Sequence, residues 1–442
     1  MPTEEDRVNE SSYPGCATCG ESSMGGCAVE HVLKGYKILD LTQVLSGPSA
    51  TRIMAEAGAE VIKVEWPGGD PARTFPYFGK DGRSAYYVQQ NRGKRSVGID
   101  LGTPEGVEIV KELAAQCDVL IENYSPGVLG RLGLGYDVIK EINPSVVMCS
   151  ISAFGQAGPL SHLVGFDYIP QAYAGITGMI GEPDKPPVFP MVGMGDVSTG
   201  VHAACAIAFA LLYRERTGRG QYLDIALLDC YFHYHEVNVQ IWSCTNGEIA
   251  PTRSGSHHHS VAPAGVFRSK DSYVLVLALL RTWPRLCEAI GRPELADDPR
   301  FVDNAVRTEN YKLLVEIIEG WLQEQDSDEA AIRILDEHRV PVAPILTIDE
   351  ACRHPHLVER ETIRTIYDRS LGNFQVPGMP LRFSEFPGHL DLVAPYLGEH
   401  NGQVLSEWLG YSQERIDDLA ERHVLHGEPV PQQPAPALAR EA

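Results

Sequence analysis

The side chains best placed to do chemistry are two aspartates. Asp196 ends the run Met191-Val192-Gly193-Met194-Gly195-Asp196, and an Ala-rich apolar stretch follows it at once. Glycine lacks a Cβ, so the backbone at Gly193 and Gly195 can turn tightly and leave room for a ligand beside the carboxylate. Residues 198–216 have the composition of a buried helix, closed by Thr217-Gly218 as by a C-cap. At the start of that helix, free N–H groups and the positive end of the dipole would favour an ionised Asp196 and an oxyanion beside it. Such a residue can be a nucleophile or an ordinary N-cap, and the turn alone fits both. Asp167, in Gly165-Phe166-Asp167-Tyr168, is a second acidic candidate: two nearby carboxylates can divide acid and base roles. A structural turn aspartate is its plainer reading.

The remaining candidates are histidines, cysteines and basic residues. His257, His258 and His259 are adjacent and cannot all face one metal from a helix or strand, so they read as a surface loop or a loop lining a substrate. Cys16, Cys19, Cys27 and His31 have loosely zinc-like spacing without a matching second pair, and they read as part of a flexible leader rather than a metal site. Arg92, Lys94 and Arg95 cluster, with Lys63, Arg73 and Arg131 standing singly, as candidates for holding phosphates. His233-Tyr234-His235-Glu236 does not match H-E-x-x-H. No G-x-S-x-G elbow, P-loop or G-x-G-x-x-G turn is present. Hydrolase, ATP-dependent and nicotinamide readings lose ground accordingly.

An α/β frame is expected to position these residues. Apolar strand patterns at 36–41, 60–65, 118–122, 145–151 and 222–227 alternate with helical patterns at 48–57, 104–116 and 136–142. Alternation of this kind implies a parallel sheet with helices on both faces, whose ligands sit outside the carboxyl ends of the strands. A strand near 273–278 and helices near 283–290 and 311–325 suggest a separate α+β unit. Beyond it, 340–346 reads as a strand, and Thr347 with Glu350 has capping-box spacing. Residues 1–30 read as a leader, and the Pro- and Ala-rich end, 426–442, as a disordered tail.

Composition bounds the function. The chain has 442 residues, 43% of them hydrophobic, enough for two or three domains and a full core. Lys plus Arg number 37 against 59 Asp plus Glu, a formal charge of -22, which argues against nucleic acid and anionic membrane surfaces as partners. No apolar run looks long enough to span a membrane, and the acidic start does not resemble a signal peptide, so a cytoplasmic protein is expected. Ten cysteines in so long a chain do not make a disulfide framework.

A series of ordered strings carries a resemblance. They are Ile38-Leu39-Asp40-Leu41 with Ser46-Gly47-Pro48; Gly58-Ala59-Glu60-Val61-Ile62-Lys63-Val64-Glu65; Asp118-Val119-Leu120-Ile121-Glu122-Asn123-Tyr124 with Pro126-Gly127; Leu132-Gly133-Leu134-Gly135-Tyr136; Ser150-Ile151-Ser152-Ala153-Phe154-Gly155; and Arg216-Thr217-Gly218-Arg219-Gly220-Gln221. Together they resemble the class III coenzyme A transferases over about residues 33–425.

That resemblance implies a Rossmann-like large domain built from both chain ends (31–222 and 336–425), a small central domain (223–335) and an interlinked homodimer. It makes Asp196 the nucleophile that takes CoA from an acyl-CoA donor, succinyl-CoA among the candidates, and gives it to a carboxylic acid. CoA is then substrate and covalent intermediate, with no permanently bound cofactor. Val44, Leu45, Asn123, Tyr124, Arg131 and Leu132 fall on the family's CoA-contacting positions, Asp167 on an acidic position near the active site, and His257–His259 on a substrate loop. Leu45 stands where formyl-CoA enzymes have Gln, and Trp66 where they have Arg, which suggests a bulkier acyl group. The alternatives are a 2-methylacyl-CoA racemase, which would want His where Phe166 stands, and a CoA-binding subunit inactive alone.

Overall fold

A computed structural model describes residues 31–75, 82–386, 388–390 and 392–431. The expected leader with Cys16, Cys19 and Cys27, and residues 432–442 of the tail expected from 426, lie outside the described residues; His426 itself lies in a strand against Gly98.

Six short β-branched runs form the centre: β1 (Lys37–Asp40), β2 (Glu60–Glu65), β3 (Lys94–Ile99), β4 (Val119–Glu122), β5 (Val147–Ser152) and β6 (Gln221–Ala226). They pair in parallel, with Ile38 opposite both Val61 and Val119. Near-continuous burial of β2 to β5 is what a parallel sheet covered on both faces demands. Far downstream come β7 (Ala264–Arg268), β8 (Tyr273–Leu277), β9 (Val342–Pro344), β10 (Ile363–Asp368), β11 (Gly372–Pro377) and β12 (Leu425–His426). β12 returns to pair antiparallel with β3, giving a seven-stranded sheet in the order β12-β3-β2-β1-β4-β5-β6. The order reverses between β1 and β4, and the crevice of such a sheet opens there, at the carboxyl ends of the strands.

The helices that matter for the site are α1 (Ser46–Glu56), α2 (Ala85–Asn91), α3 (Pro104–Gln116), α4 (Val128–Arg131), α5 (Tyr136–Ile142), α6 (Tyr168–Tyr173), α7 (Met194–Thr217) and α8 (Leu227–Phe232). α3 shows the local logic. Thr103 accepts from the Gly106 N–H at 3.1 Å, Pro104 sits in the first turn, and Ile109, Val110, Leu113 and Ala114 bury one stripe. α1 is buried along its whole length and packs along α7. There Gly200 permits the contact, because a Cβ would overlap Ser49 Oγ.

Two expectations change at this level. α7 runs 24 residues and is long and apolar enough to cross a membrane by length and composition, which the sequence reading had denied; here it lies against α1, β5 and β6. The expected boundaries at 222 and 335 also shift. α8 packs on α6 and α7 beside the large sheet, while β9 pairs with β8, extending the small β7-β8-β9 sheet past 335. That sheet and helices Thr282–Ala289 and Tyr311–Glu324 share a core of Phe267, Val274, Trp283 and Ile318. The β10–β11 hairpin packs through Ile366 and Val376 on Tyr87 and Val88 of α2. The Thr347–Glu350 capping box is present as expected.

Candidate active site

The site forms where β1 and β4 hand the chain to the turns that follow them. After β1 the chain enters Thr42-Gln43-Val44-Leu45 and then α1. Val44 adopts φ +67°, a left-handed conformation that a β-branched residue accepts only when its surroundings impose it. The imposing groups are buried. Asp70 accepts from the Val44 N–H at 3.0 Å and pairs with Lys63 at 2.9 Å, and Lys63 donates to the Thr42 carbonyl at 2.6 Å. Burial opposes charge on Lys63, but Asp70, Asp40 and Glu65 outweigh it and raise its pKa. On the far side Asn123, just after β4, accepts from the Gln43 N–H at 2.8 Å and donates to the Gln43 carbonyl and to Ser46 Oγ.

Asp196 faces this turn from across a cleft of about 510 Å³ that Gln43, Leu45, Ser46, Asn123, Phe166 and Leu227 help to line. α7 begins at Met194 after an N-cap at Gly193 that carries no side-chain cap bond, so Asp196 is the third helical residue and not the cap. Gly195 has no alternative: a Cβ there would overlap the Tyr231 ring and Asp167 Oδ1. The Gly195 N–H donates to Asp167 Oδ1 at 3.0 Å and to the Tyr231 hydroxyl at 2.9 Å, and Val197 N–H to the Gly193 carbonyl. The first turn of α7 therefore spends these donors internally, which corrects the expectation that they stay free for an oxyanion. The start of α1 is different: among the described residues no acceptor takes the Ser46 or Gly47 N–H, and Ser46 lines the cleft.

Electrostatics correct a second expectation. Burial first, and the charge of Asp167 second, push the Asp196 carboxyl up to about 7, against the pull of its hydrogen bond with Ser46. Dipole and cap do not by themselves make it a readily ionised group. Asp167 is also raised by burial, opposed by hydrogen bonds from Tyr231 and from the backbone of Asp196 and Gly195. Two neighbouring carboxyls raised together titrate as a pair.

The other candidates divide. Val44, Leu45, Asn123 and Tyr124 line the cleft together with Asp196. Arg131, at the end of α4, is exposed, while Leu132 packs against the main core, and neither lines the cleft. His257–His259 lie in the small unit, where the His257 ring meets Phe267 with centroids 4.9 Å apart and His258 stacks on His259, and none of the three lines the cleft that Asp196 faces. The expected phosphate-holding cluster is structural: Lys94 pairs with Asp40 at 3.0 Å, Arg92 with Glu56 at 2.6 Å, and Arg95 with Glu60 and Glu407. Sequence reasoning missed Ser46, Gln171 and Tyr231 in their contacts with the two aspartates. Ser46 stood in a quoted string. Tyr231 had no local signal, because its contact with Asp167 spans 64 residues.

The model of the CoA-transferase family III matches residues 33–401. The chain is 36% identical over 395 residues to the human succinyl-CoA:glutarate CoA-transferase, covering 88% of each chain. It is 37% identical over 381 residues to the Acetobacter aceti acetyl-CoA:oxalate CoA-transferase, covering 85% of this chain and 95% of that one. A solved CAIB/BAIF family protein from Brucella suis superposes with a TM-score of 0.75 at 33% identity, covering 86% of this chain and all of that one. With a strand-reversal crevice, a half-buried aspartate facing it and family likeness over most of its length, the chain belongs to the CoA-transferase family III, the class III CoA transferases.

Proposed function

We propose that the chain moves CoA from an acyl-CoA donor, succinyl-CoA among the candidates, to an organic acid through a thioester on Asp196. The observation that carries this reading is the Asp196 carboxylate at the first turn of α7, facing the cleft beside Ser46 and the start of α1. In the ionised state an Asp196 oxygen attacks the thioester carbonyl carbon and CoA thiolate leaves, giving a mixed anhydride. The thiolate attacks the Asp196 carbonyl carbon, the donor acid departs as its carboxylate, and CoA is now bonded to Asp196. The acceptor carboxylate attacks that thioester and again releases the thiolate, which attacks the acceptor's carbonyl carbon. Product acyl-CoA and free Asp196 result, with no net redox change. The Ser46 and Gly47 N–H groups at the start of α1 are suited to hold the negative oxygen of each tetrahedral intermediate.

CoA is assigned to the turn that Val44, Leu45, Asn123 and Tyr124 form, with Arg131 one helical turn beyond as a partner for phosphate. Asn123 thus both braces the turn and borders the ligand. A substrate role for His257–His259 requires this loop to move or to come from a second copy. A homodimer is supported by the exposed apolar residues Val197, Val201, Phe209 and Leu212 along α7, a face that a second copy would cover. Phe166 at the cleft offers no proton, so carbon epimerisation is not part of this reading.

Asp196→Ala is expected to lower exchange between succinyl-CoA and a carboxylic acid by at least about a thousandfold while CoA binding by calorimetry persists. Substantial exchange by that variant would remove Asp196 from the chemistry.

A further inference from the structure

Tyr231 is wholly buried on α8, and its hydroxyl meets three groups. The Gly195 N–H donates to it at 2.9 Å and Gln171 Nε2 at 3.2 Å, while Tyr231 itself donates to Asp167 Oδ1. A phenol has one proton, and both nitrogens are donors, so that proton has only Asp167 to go to. Thr177 Oγ1 donates to Gln171 Oε1 at 2.9 Å in the amide orientation that aims the Gln171 nitrogen at Tyr231. Asp167 Oδ1 thereby accepts two hydrogen bonds, from Tyr231 and from Gly195 N–H at 3.0 Å, and these favour its carboxylate against the burial that raises its pKa. Its second oxygen, Oδ2, is buried and takes no well-aligned hydrogen bond among the described residues, and a Cβ on Gly193 would come within 3.2 Å of it.

Other charges around the pair do not supply this control. α1 faces it with Ser46, α2 with Tyr86, α6 with Tyr168, and Asp70 below is paired with Lys63. Both phenols are raised, Tyr86 mainly by burial and next by Asp196, Tyr168 by burial and next by Asp167, so both stay neutral near pH 7. Among the described residues no cation acts on either carboxylate.

We propose that Tyr231, oriented by Gln171, is a positioning residue that keeps Asp167 negative, so that the proton the pair retains sits on Asp196 and transfer begins only when Asp196 loses it. Tyr231 sets the pH at which the nucleophile becomes available, and does so through Asp167 without touching substrate. The inference rests on Asp196 being the nucleophile.

The test is the pH dependence of kcat/KM, which reports the free enzyme, for the wild-type chain, Tyr231→Phe, Asp167→Asn and the double variant. Losing the phenol lets Asp167 take the proton; Asp196, beside a neutral neighbour, then ionises more easily. The acid limb of Tyr231→Phe should move to lower pH by about half a unit to one unit. Asp167→Asn should move it at least as far, and the double variant no further. A limb in Tyr231→Phe that stays in place or moves up, or shifts that add in the double variant, would overturn the proposal. If Tyr231→Phe does not fold, Gln171→Leu, which frees the phenol to turn, should move the limb the same way by less, and an unmoved limb there is equally contrary. Should Asp196→Ala retain exchange, the nucleophile assignment is what fails; should it be inactive while Tyr231→Phe keeps the wild-type limb, only the role of Tyr231 fails.

Discussion

Asp196 lies where a carboxylate is useful and costly at once. Burial and Asp167 hold its carboxyl up at about 7, so below that pH most chains carry it protonated and unable to attack. Exchange should therefore rise with pH along an acid limb near 7, and a limb near 4 would mean that substrate meets an Asp196 of ordinary acidity. The same shift links to stability. Between the unfolded value near 4 and the folded value near 7, the unfolded chain releases this proton and the folded chain keeps it, so rising pH costs stability until the folded group ionises too. Asp196→Asn should thus raise Tm at pH 8 by about 1–3 °C and leave it unchanged at pH 3; a lower Tm at pH 8 would contradict the electrostatic account. The sequence made Asp196 legible through its glycines, the helix behind it and the surrounding strings. Those local signals placed it at the helix start and named Asp167 as a second carboxylate, but gave no view of the burial that, with the charge of Asp167, reverses the expected ease of ionisation. Tyr231 and Gln171 were beyond reach because their hydrogen bond spans 60 residues.

At the level of elements, the site is two helix starts pressed together over a buried charge network. Thr42 and Val44 are held by Asp40, Lys63, Asp70 and Lys94, none of them more than 2% exposed. Burial opposes charge on Asp40, but Lys94 and Lys63 hold its carboxyl down at about 2. Its contribution is present above the unfolded value near 4 and lost as pH falls through 2. Asp40→Asn leaves the buried Lys94 ammonium without its carboxylate and should cost about 3–5 kcal/mol in urea unfolding at pH 7; a loss under 1 kcal/mol would show the network to be dispensable. Gly195→Ala should cost about 1–3 kcal/mol through its clash with Tyr231 and remove most exchange. An active, stable Gly195→Ala chain would show that the turn tolerates a different path. Single elements were well legible where periodicity and caps coincide: α3 and α5 have the expected bounds, and Thr347 caps as its spacing indicated. Pairing partners were not. That β9 joins β8 across more than sixty residues depends on contacts between distant segments, which local patterns do not encode.

For the whole molecule, the parallel sheet and its closing strand from the far end of the chain put one crevice at the β1/β4 reversal, and every cleft residue is organised around it. The family likeness supplied the two-ended architecture, which no amount of periodicity would have given; the strand order bears it out. The exposed apolar face of α7 belongs to this scale as well, and light scattering should return the mass of two 48.5 kDa chains where a lone chain would return one. The central claim is that Asp196 itself carries CoA. The most direct measurement is mass spectrometry of the intact chain and its peptides after brief mixing with succinyl-CoA and acid quench. A mass increase of one CoA less water, confined to the peptide containing Asp196, released by an acceptor acid and missing in Asp196→Ala, is the predicted result. Rapid exchange with no adduct, or an adduct on any other residue, would contradict it.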